Sequence, residues 1–370
     1  MNRVARLGLL LFAAITALVM AACGGAAQEP DILFLRSDEA GQIALYRQSG
    51  PAATPRVLSN GAGGDLLDFA AAPDGRHLVY SVAESTRGAL RVVDAGGGND
   101  RELLACPEAE CSAPVWAPDG RRLIYERRAR LAGGALSSPR LYWLDPATGE
   151  TRPLIEGDET PGYGARFSPD GAWLSYVSPG DAGVVLYRLA DGEQRLLSSR
   201  VGRPVAFSPD GRQVVVGDIY LSAADVAPEA GGVPGPVQES SNVYLYLYML
   251  ASDPTEANRQ RLSPEAAVDD SAAAWSPDGV WIAFGRAPAG AATGRQLWLM
   301  RADGRDARPL TSAPAISHGP PAWSPDGRYL LFQRFDLDDP AATPDVWRLR
   351  VDDGRLTLVA RGGYLPAWLP

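Results

Sequence analysis

The stretch Trp323-Ser324-Pro325-Asp326-Gly327-Arg328-Tyr329-Leu330-Leu331-Phe332 decides the fold, because it is the sixth copy of one phrase. The earlier copies read AAPDGRHLVY (71–80), WAPDGRRLIY (116–125), FSPDGAWLSY (167–176), FSPDGRQVVV (207–216) and WSPDGVWIAF (275–284). The C-terminus starts the phrase once more as AWLP and stops at Pro370. Successive prolines (Pro73, Pro118, Pro169, Pro209, Pro277, Pro325) lie about 40 to 70 residues apart, a period of propellers and solenoids rather than of a single-core domain.

Each position of the phrase has a physical reading. In Ser-Pro-Asp-Gly, proline presets φ for the second residue of a type I turn, serine accepts a local hydrogen bond, and glycine suits the fourth place. An apolar pair such as Ala322-Trp323 precedes the turn, and an apolar run such as residues 329–332 follows it. This predicts two strands joined by a tight turn. A third strand (Leu141-Tyr142-Trp143-Leu144), a turn at residues 145–149 and a fourth strand (Arg152-Pro153-Leu154-Ile155) complete a four-stranded propeller blade.

Six full units begin near Leu67, Ala113, Gly164, Pro204, Ala272 and Pro320. Residues 31–60 supply only three strand-like runs, and residues 364–370 supply one. Joined, they make a further blade and close the ring, which removes the exposed sheet edges that open sheets must blunt. The expected fold is all-β: a seven-bladed propeller of four-stranded antiparallel blades over residues 31–370, with the C-terminal strand completing the N-terminal blade.

Recurrent WSPDG followed by an apolar strand resembles the TolB-type propeller repeat, also found in propeller domains of prolyl-oligopeptidase-like peptidases. The resemblance covers about nine tenths of the chain and implies a bare propeller. TolB carries an α/β domain ahead of its propeller, for which residues 23–31 leave no room. The peptidases carry a hydrolase domain with a Gly-x-Ser-x-Gly elbow, and that motif is absent from this sequence.

Arg3 and Arg6 precede an uncharged run, residues 7–22, of secretory length rather than membrane-spanning length. Leu18-Val19-Met20-Ala21-Ala22-Cys23 resembles a bacterial lipobox, which implies a signal peptide over residues 1–22, lipidation of Cys23 and a short tether over residues 23–30. Ordinary cleavage near Ala22 and an uncleaved anchor are the alternatives. Several acyl chains on one cysteine would anchor the protein stably. The implied location is extracytoplasmic and membrane-anchored, at the outer membrane if the cell has two, because Gly24 and not aspartate follows the cysteine.

Of the three cysteines, Cys106 and Cys111 remain. A pair this close in an oxidising compartment predicts a disulfide clamping a loop between blades. The formal charge is −9, and every basic residue other than histidine is arginine. An acidic chain is a poor nucleic-acid binder, and Arg121, Arg122, Arg127, Arg128 and Arg130 read as a solvated blade edge. Only His77 and His318 could supply imidazole. No zinc spacing or phosphate-cradling loop appears. The sequence therefore points to no enzyme, no cofactor, no metal and a monomer.

Two places could bind. An insertion over residues 218–242, rich in Gly and Pro, would stand above the ring on the face of the blade-to-blade connections. On that face, residues leading into the innermost strands would ring the channel mouth. By repeat alignment these are Asp65, Asp68, Glu110, Tyr163, Arg203, Asp269, Asp270, His318 and Tyr364. The expected function is a lipid-anchored envelope scaffold docking a protein partner on this loop face. The alternative is a receptor for a small ligand or cation, calcium or a saccharide, at the mouth.

Overall fold

The computed structural model describes residues 29–38, 40–157, 160–223, 239–251, 258–264, 267–339 and 341–370. The signal peptide, the lipidation at Cys23 and most of the tether lie outside the described residues, as does the tip of the insertion.

The repeated turn builds itself from its own side chains. At Ser276, Oγ donates to Asp278 (2.5 Å) and accepts the Trp281 N–H (2.9 Å), while Asp278 accepts the Val280 N–H (3.0 Å). The same three bonds recur at Ser168, Ser208 and Ser324. The glycine N–H closes back on the serine carbonyl at 2.9 Å in all four. The six turn glycines hold φ between 66° and 71°, a left-handed geometry that costs other residues about 1 kcal/mol or more.

These turns organise 29 strands. β1 (Ile32–Ser37), β2 (Ile43–Gln48) and β3 (Arg56–Ser59) are followed by β4 (Asp65–Ala71), β5 (His77–Ala83), β6 (Arg87–Asp94) and β7 (Arg101–Pro107). Next come β8 (Ala109–Trp116), β9 (Leu123–Ala129), β10 (Arg140–Leu144), β11 (Thr151–Pro153), β12 (Tyr163–Phe167), β13 (Trp173–Ser178), β14 (Gly183–Arg188) and β15 (Gln194–Ser198). β16 (Ala206–Phe207), β17 (Gln213–Ala223), β18 (Glu239–Met249), β19 (Arg259–Arg261), β20 (Val268–Trp275), β21 (Trp281–Pro288), β22 (Gln296–Arg301) and β23 (Arg308–Pro309) continue the chain. β24 (Ile316–His318), β25 (Ala322–Trp323), β26 (Tyr329–Asp336), β27 (Asp345–Arg350), β28 (Leu356–Ala360) and β29 (Gly363–Trp368) complete it.

β4 to β7, β8 to β11 and β12 to β15 form three antiparallel sheets of four strands, and β24 to β28 form a fourth in which β24 and β25 both pair β26. A fifth has the order β29-β1-β2-β3, so its strands come from both ends of the chain. Hydrogen bonding thus resolves five separate blades, not the seven expected. The other eight strands, β16 to β23, are one sheet, because β18 and β20 share a parallel bridge at Val243 and Asp269.

The apolar clusters lie between sheets. Leu33, Leu35 and Leu45 pack with Leu66, Leu78 and Tyr80 of the next sheet and with Leu369. Middle strands are therefore buried on both faces, as along all six residues of β13, and read as continuous apolar runs. Three tryptophans fasten an inner strand to its predecessor: Trp275 Nε1 donates to the Ala206 carbonyl (3.2 Å), Trp323 to Ala274 (3.0 Å) and Trp368 to Ala322 (3.0 Å). The turns also touch in sequence. A Cβ at Gly120, Gly171, Gly279 or Gly327 would lie within 4 Å of Pro73, Pro118, Pro209 or Pro277 respectively, and one at Gly75 would clash with Pro370.

Cys106 and Cys111 form the disulfide between β7 and β8, with Cα atoms 6.3 Å apart. The insertion is less of a loop than expected. β17 and β18 pair through eleven positions, from Gln213 opposite Met249 to Ala223 opposite Glu239. β16 and β19 flank only the base of this hairpin, at residues 214–215 and 246–248.

Because Ser276 is buried and its hydroxyl satisfies the Trp281 amide, Ser276→Ala should destabilise the protein by about 1–2 kcal/mol in urea unfolding. No change in midpoint would show that the turn does not depend on the hydroxyl.

Candidate functional site

Except for Asp68, which lies midway along β4, the residues aligned by the repeat lie toward the ends of innermost strands on the face opposite the Ser-Pro-Asp-Gly turns. Asp65 opens β4, Tyr163 opens β12, Glu110 and Tyr364 are second in β8 and β29, and Asp269 and Asp270 follow the first residue of β20. Arg203 precedes β16, and His318 ends β24. Some meet: Glu110 acts electrostatically on Asp68, Asp65 acts on Tyr364, and Arg203, Asp269 and Asp270 act on Arg295.

Most of their polar groups are engaged within the fold. Asp68 accepts from Ser81 Oγ and from the Ala113 N–H (2.7 Å) of the next sheet. Asp269 accepts the Val243 N–H (2.9 Å), and Tyr163 donates to the Gly202 carbonyl (3.0 Å). Asp270 is fully buried in a two-point pair with Arg286 (2.6 and 2.7 Å) and also accepts from Ser263 (2.6 Å). Such a pair is costly to break, since removing one partner strands a buried charge. His318 is 3% exposed and lines a cavity with Thr311, Ser312 and Arg334. Its Nδ1 lies 2.9 Å from the Arg295 carbonyl, its ring is 5.4 Å from that of Phe332, and Nε2 has no partner.

The inner strands carry a recurrent bulge that explains the carboxylates. Ala113, Gly164, Ala272 and Leu365, each five residues before the proline of its repeat, have φ of 51°, 67°, 54° and 48°. Pairing with the second strand slips around each of the first three. A bulge leaves a backbone group off the ladder, and a buried N–H needs another acceptor. Asp68 supplies it for Ala113, and Glu126 Oε1 supplies it for Gly164 at 2.7 Å. Each carboxylate thereby ties one blade to the next.

Glu126 and Arg166 were missed by alignment of strand starts. Their signal is a break in the repeat. Glu126 stands where other second strands have Ser81, Val177, Gly217, Gly285 and Gln333, and Arg166 stands where other inner strands have Ala70, Val115, Ala206, Ala274 and Ala322. Burial pushes the Asp68 and Glu126 carboxyls above the ordinary range, with a smaller push on Asp68 from Glu110 and on Glu126 from Asp68. Arg166 is reached by solvent yet enclosed by protein; that enclosure lowers its pKa against the pull of Glu126. Among the described residues, no three His, Cys, Asp or Glu side chains are placed to hold a metal ion.

Burial, with a smaller contribution from Arg334, depresses the His318 pKa from 6.5 to about 4. The unfolded chain takes up this proton near pH 6.5 and the folded protein only near pH 4, so acidification through that window favours unfolding. The unfolding free energy from urea titrations should fall from pH 6.5 to 4, by a few kcal/mol in total. An imidazole resonance of His318 titrating near 6.5 in the folded protein would contradict its burial as the cause.

No family model matches the chain, and no curated protein does. Among solved structures it is similar to TolB from Acinetobacter baumannii, with a TM-score of 0.53 and 17% identity over 100% of this chain and 73% of that one. It is also similar to an oligogalacturonate lyase in complex with manganese, with a TM-score of 0.50 and 17% identity over 80% of this chain and 73% of that one. A puromycin hydrolase gives a TM-score of 0.62 and 15% identity over 92% of this chain but only 53% of its own. These last two overturn the expectation that the chain is not an enzyme: enzymes share this architecture, so missing motifs are no ground for excluding catalysis. At such identities the likeness is one of fold, and this chain folds as a TolB-like β-propeller.

Proposed function

We propose that the protein is an envelope-anchored interaction scaffold, held to a membrane through lipidated Cys23 and docking a protein partner on the face of the blade-to-blade connections. The observation that carries this reading is the β17–β18 hairpin, which outruns both flanking strands of its own unit. Along it Tyr220, 42% exposed, stacks on Tyr244 with ring centroids 5.5 Å apart. A rigid aromatic presented beyond the sheet suits a protein interface, where tyrosine is enriched and loses little side-chain freedom on docking. The secretory leader and the Cys106–Cys111 disulfide both favour an extracytoplasmic compartment.

Within the same reading the ring has seven blades. Both halves of the eight-stranded sheet have their own turn, at residues 208–211 and 276–279, and their own antiparallel order, β16 to β19 and β20 to β23. One parallel bridge joins them. The six turns and Pro370 supply seven turn positions, and five glycine–proline approaches link them: Gly75 to Pro370, Gly120 to Pro73, Gly171 to Pro118, Gly279 to Pro209 and Gly327 to Pro277.

The test is site-specific photo-crosslinking in intact cells, with the photoreactive residue at Tyr220 or at Arg121 on the opposite face. One discrete protein adduct from Tyr220, absent from Arg121 and lost when Cys23→Ser releases the protein from the membrane fraction, is the expected result. Equal adducts from both faces, or a Cys23→Ser protein that still fractionates with membranes, would refute the scaffold or its anchor respectively.

A further inference from the structure

The point at which the tether is fastened sets which way the propeller faces. Glu29, which precedes the first strand, accepts from Arg348 Nη1 (2.6 Å) and from the Tyr329 hydroxyl (3.0 Å). Burial works against this carboxylate, but the two bonds and the charge of Arg348 outweigh it and hold its pKa below the ordinary value. Tyr329 is the first residue of β26, directly after the turn at Gly327. β1 then starts beside Trp368, because Ile32 pairs with that residue. The chain therefore reaches the ring on the face of the Ser-Pro-Asp-Gly turns. The hairpin leaves from the other face, since β17 begins at its turn and ends eleven residues away.

Length converts this placement into an orientation. Five residues separate Cys23 from Glu29, so the tether spans at most about 20 Å even when fully extended. A blade strand such as β26, with eight residues, is about 26 Å long. A tether fastened on the turn face is too short to run the height of a blade and still place Cys23 beyond the opposite face.

We infer that the propeller stands with its Ser-Pro-Asp-Gly turns against the lipid headgroups and presents the β17–β18 hairpin away from the membrane. The inference rests on the anchoring of Cys23 proposed above. It makes the turn face a bilayer-apposed surface, including the exposed arginines Arg76, Arg121, Arg212 and Arg328 that follow the turn glycines. The opposite face remains free for soluble or opposing-membrane proteins.

Fluorescence quenching by headgroup-labelled lipids tests it on the full lipoprotein in liposomes. With Cys23 acylated and Cys106 bonded to Cys111, a single added cysteine carries the dye. Arg76→Cys and Arg212→Cys, in separate blades of the turn face, should both be strongly quenched, and Tyr220→Cys should be several-fold less so. A Gly/Ser insertion of about 20 residues after Gly25 should erase the contrast, because a flexible linker of that length lets the ring turn over. Quenching strongest at Tyr220, or equal at all three sites, overturns the orientation. So does a contrast between Arg76 and Arg212 as large as that to Tyr220, which would mean the ring lies on its side. Liposome flotation reports the anchor separately. A protein that floats without the contrast overturns the orientation alone, and one that does not float overturns the anchor on which it rests.

Discussion

The packing of each innermost strand against the one before it is the contact on which the molecule depends. It draws on a small set of contacts: at three junctions a tryptophan Nε1 donating to an alanine carbonyl one blade back, at most turns a proline against the next turn's glycine, and at two a carboxylate capping a bulge amide. No blade encloses its own core, so the apolar clusters exist only between neighbours. Such a chain of interfaces has two exposed ends unless it closes. β29 closes it: Trp368 bonds back to Ala322, Leu369 packs among Leu33, Leu66 and Tyr80, and Pro370 takes the place of a turn proline beside Gly75.

The repeat phrase made this architecture legible because every part of it is local. Serine, proline, aspartate and glycine form the turn from bonds spanning five residues or fewer, and the terminal fragments AWLP and residues 31–60 could be matched to a split blade by subtraction. The pattern is weaker where the repeat stretches. Residues 218–242 looked like a loop because Gly and Pro crowd their centre, yet the ladder carries through Ala223 and Glu239. The long hairpin then bridges to β20 and merges two expected sheets into one.

Spacing along the chain gives a residue's position in its strand, not its partners. Alignment places Asp269 and Asp270 near the start of an inner strand and Asp68 midway along one, but whether a carboxylate there faces water depends on partners 16 to 45 residues away, such as Arg286 and Ala113. Spacing carries no information of that kind. Glu126 and Arg166 were visible only as departures from otherwise small residues at equivalent positions. Reading an absence proved weakest: the lack of a familiar catalytic motif says little on a fold shared by a lyase and a hydrolase.

Closure by the C-terminal strand is the central claim, and deleting residues 363–370 tests it most directly. The deletion removes the buried Trp368 and Leu369 together with half-buried Tyr364, about 5 kcal/mol of apolar burial, which is comparable to the whole stability of many domains. By scanning calorimetry the truncated protein should lose its single cooperative transition or melt far below the full chain. A truncated protein that melts with the same midpoint and enthalpy as the full chain would contradict a ring held shut by β29.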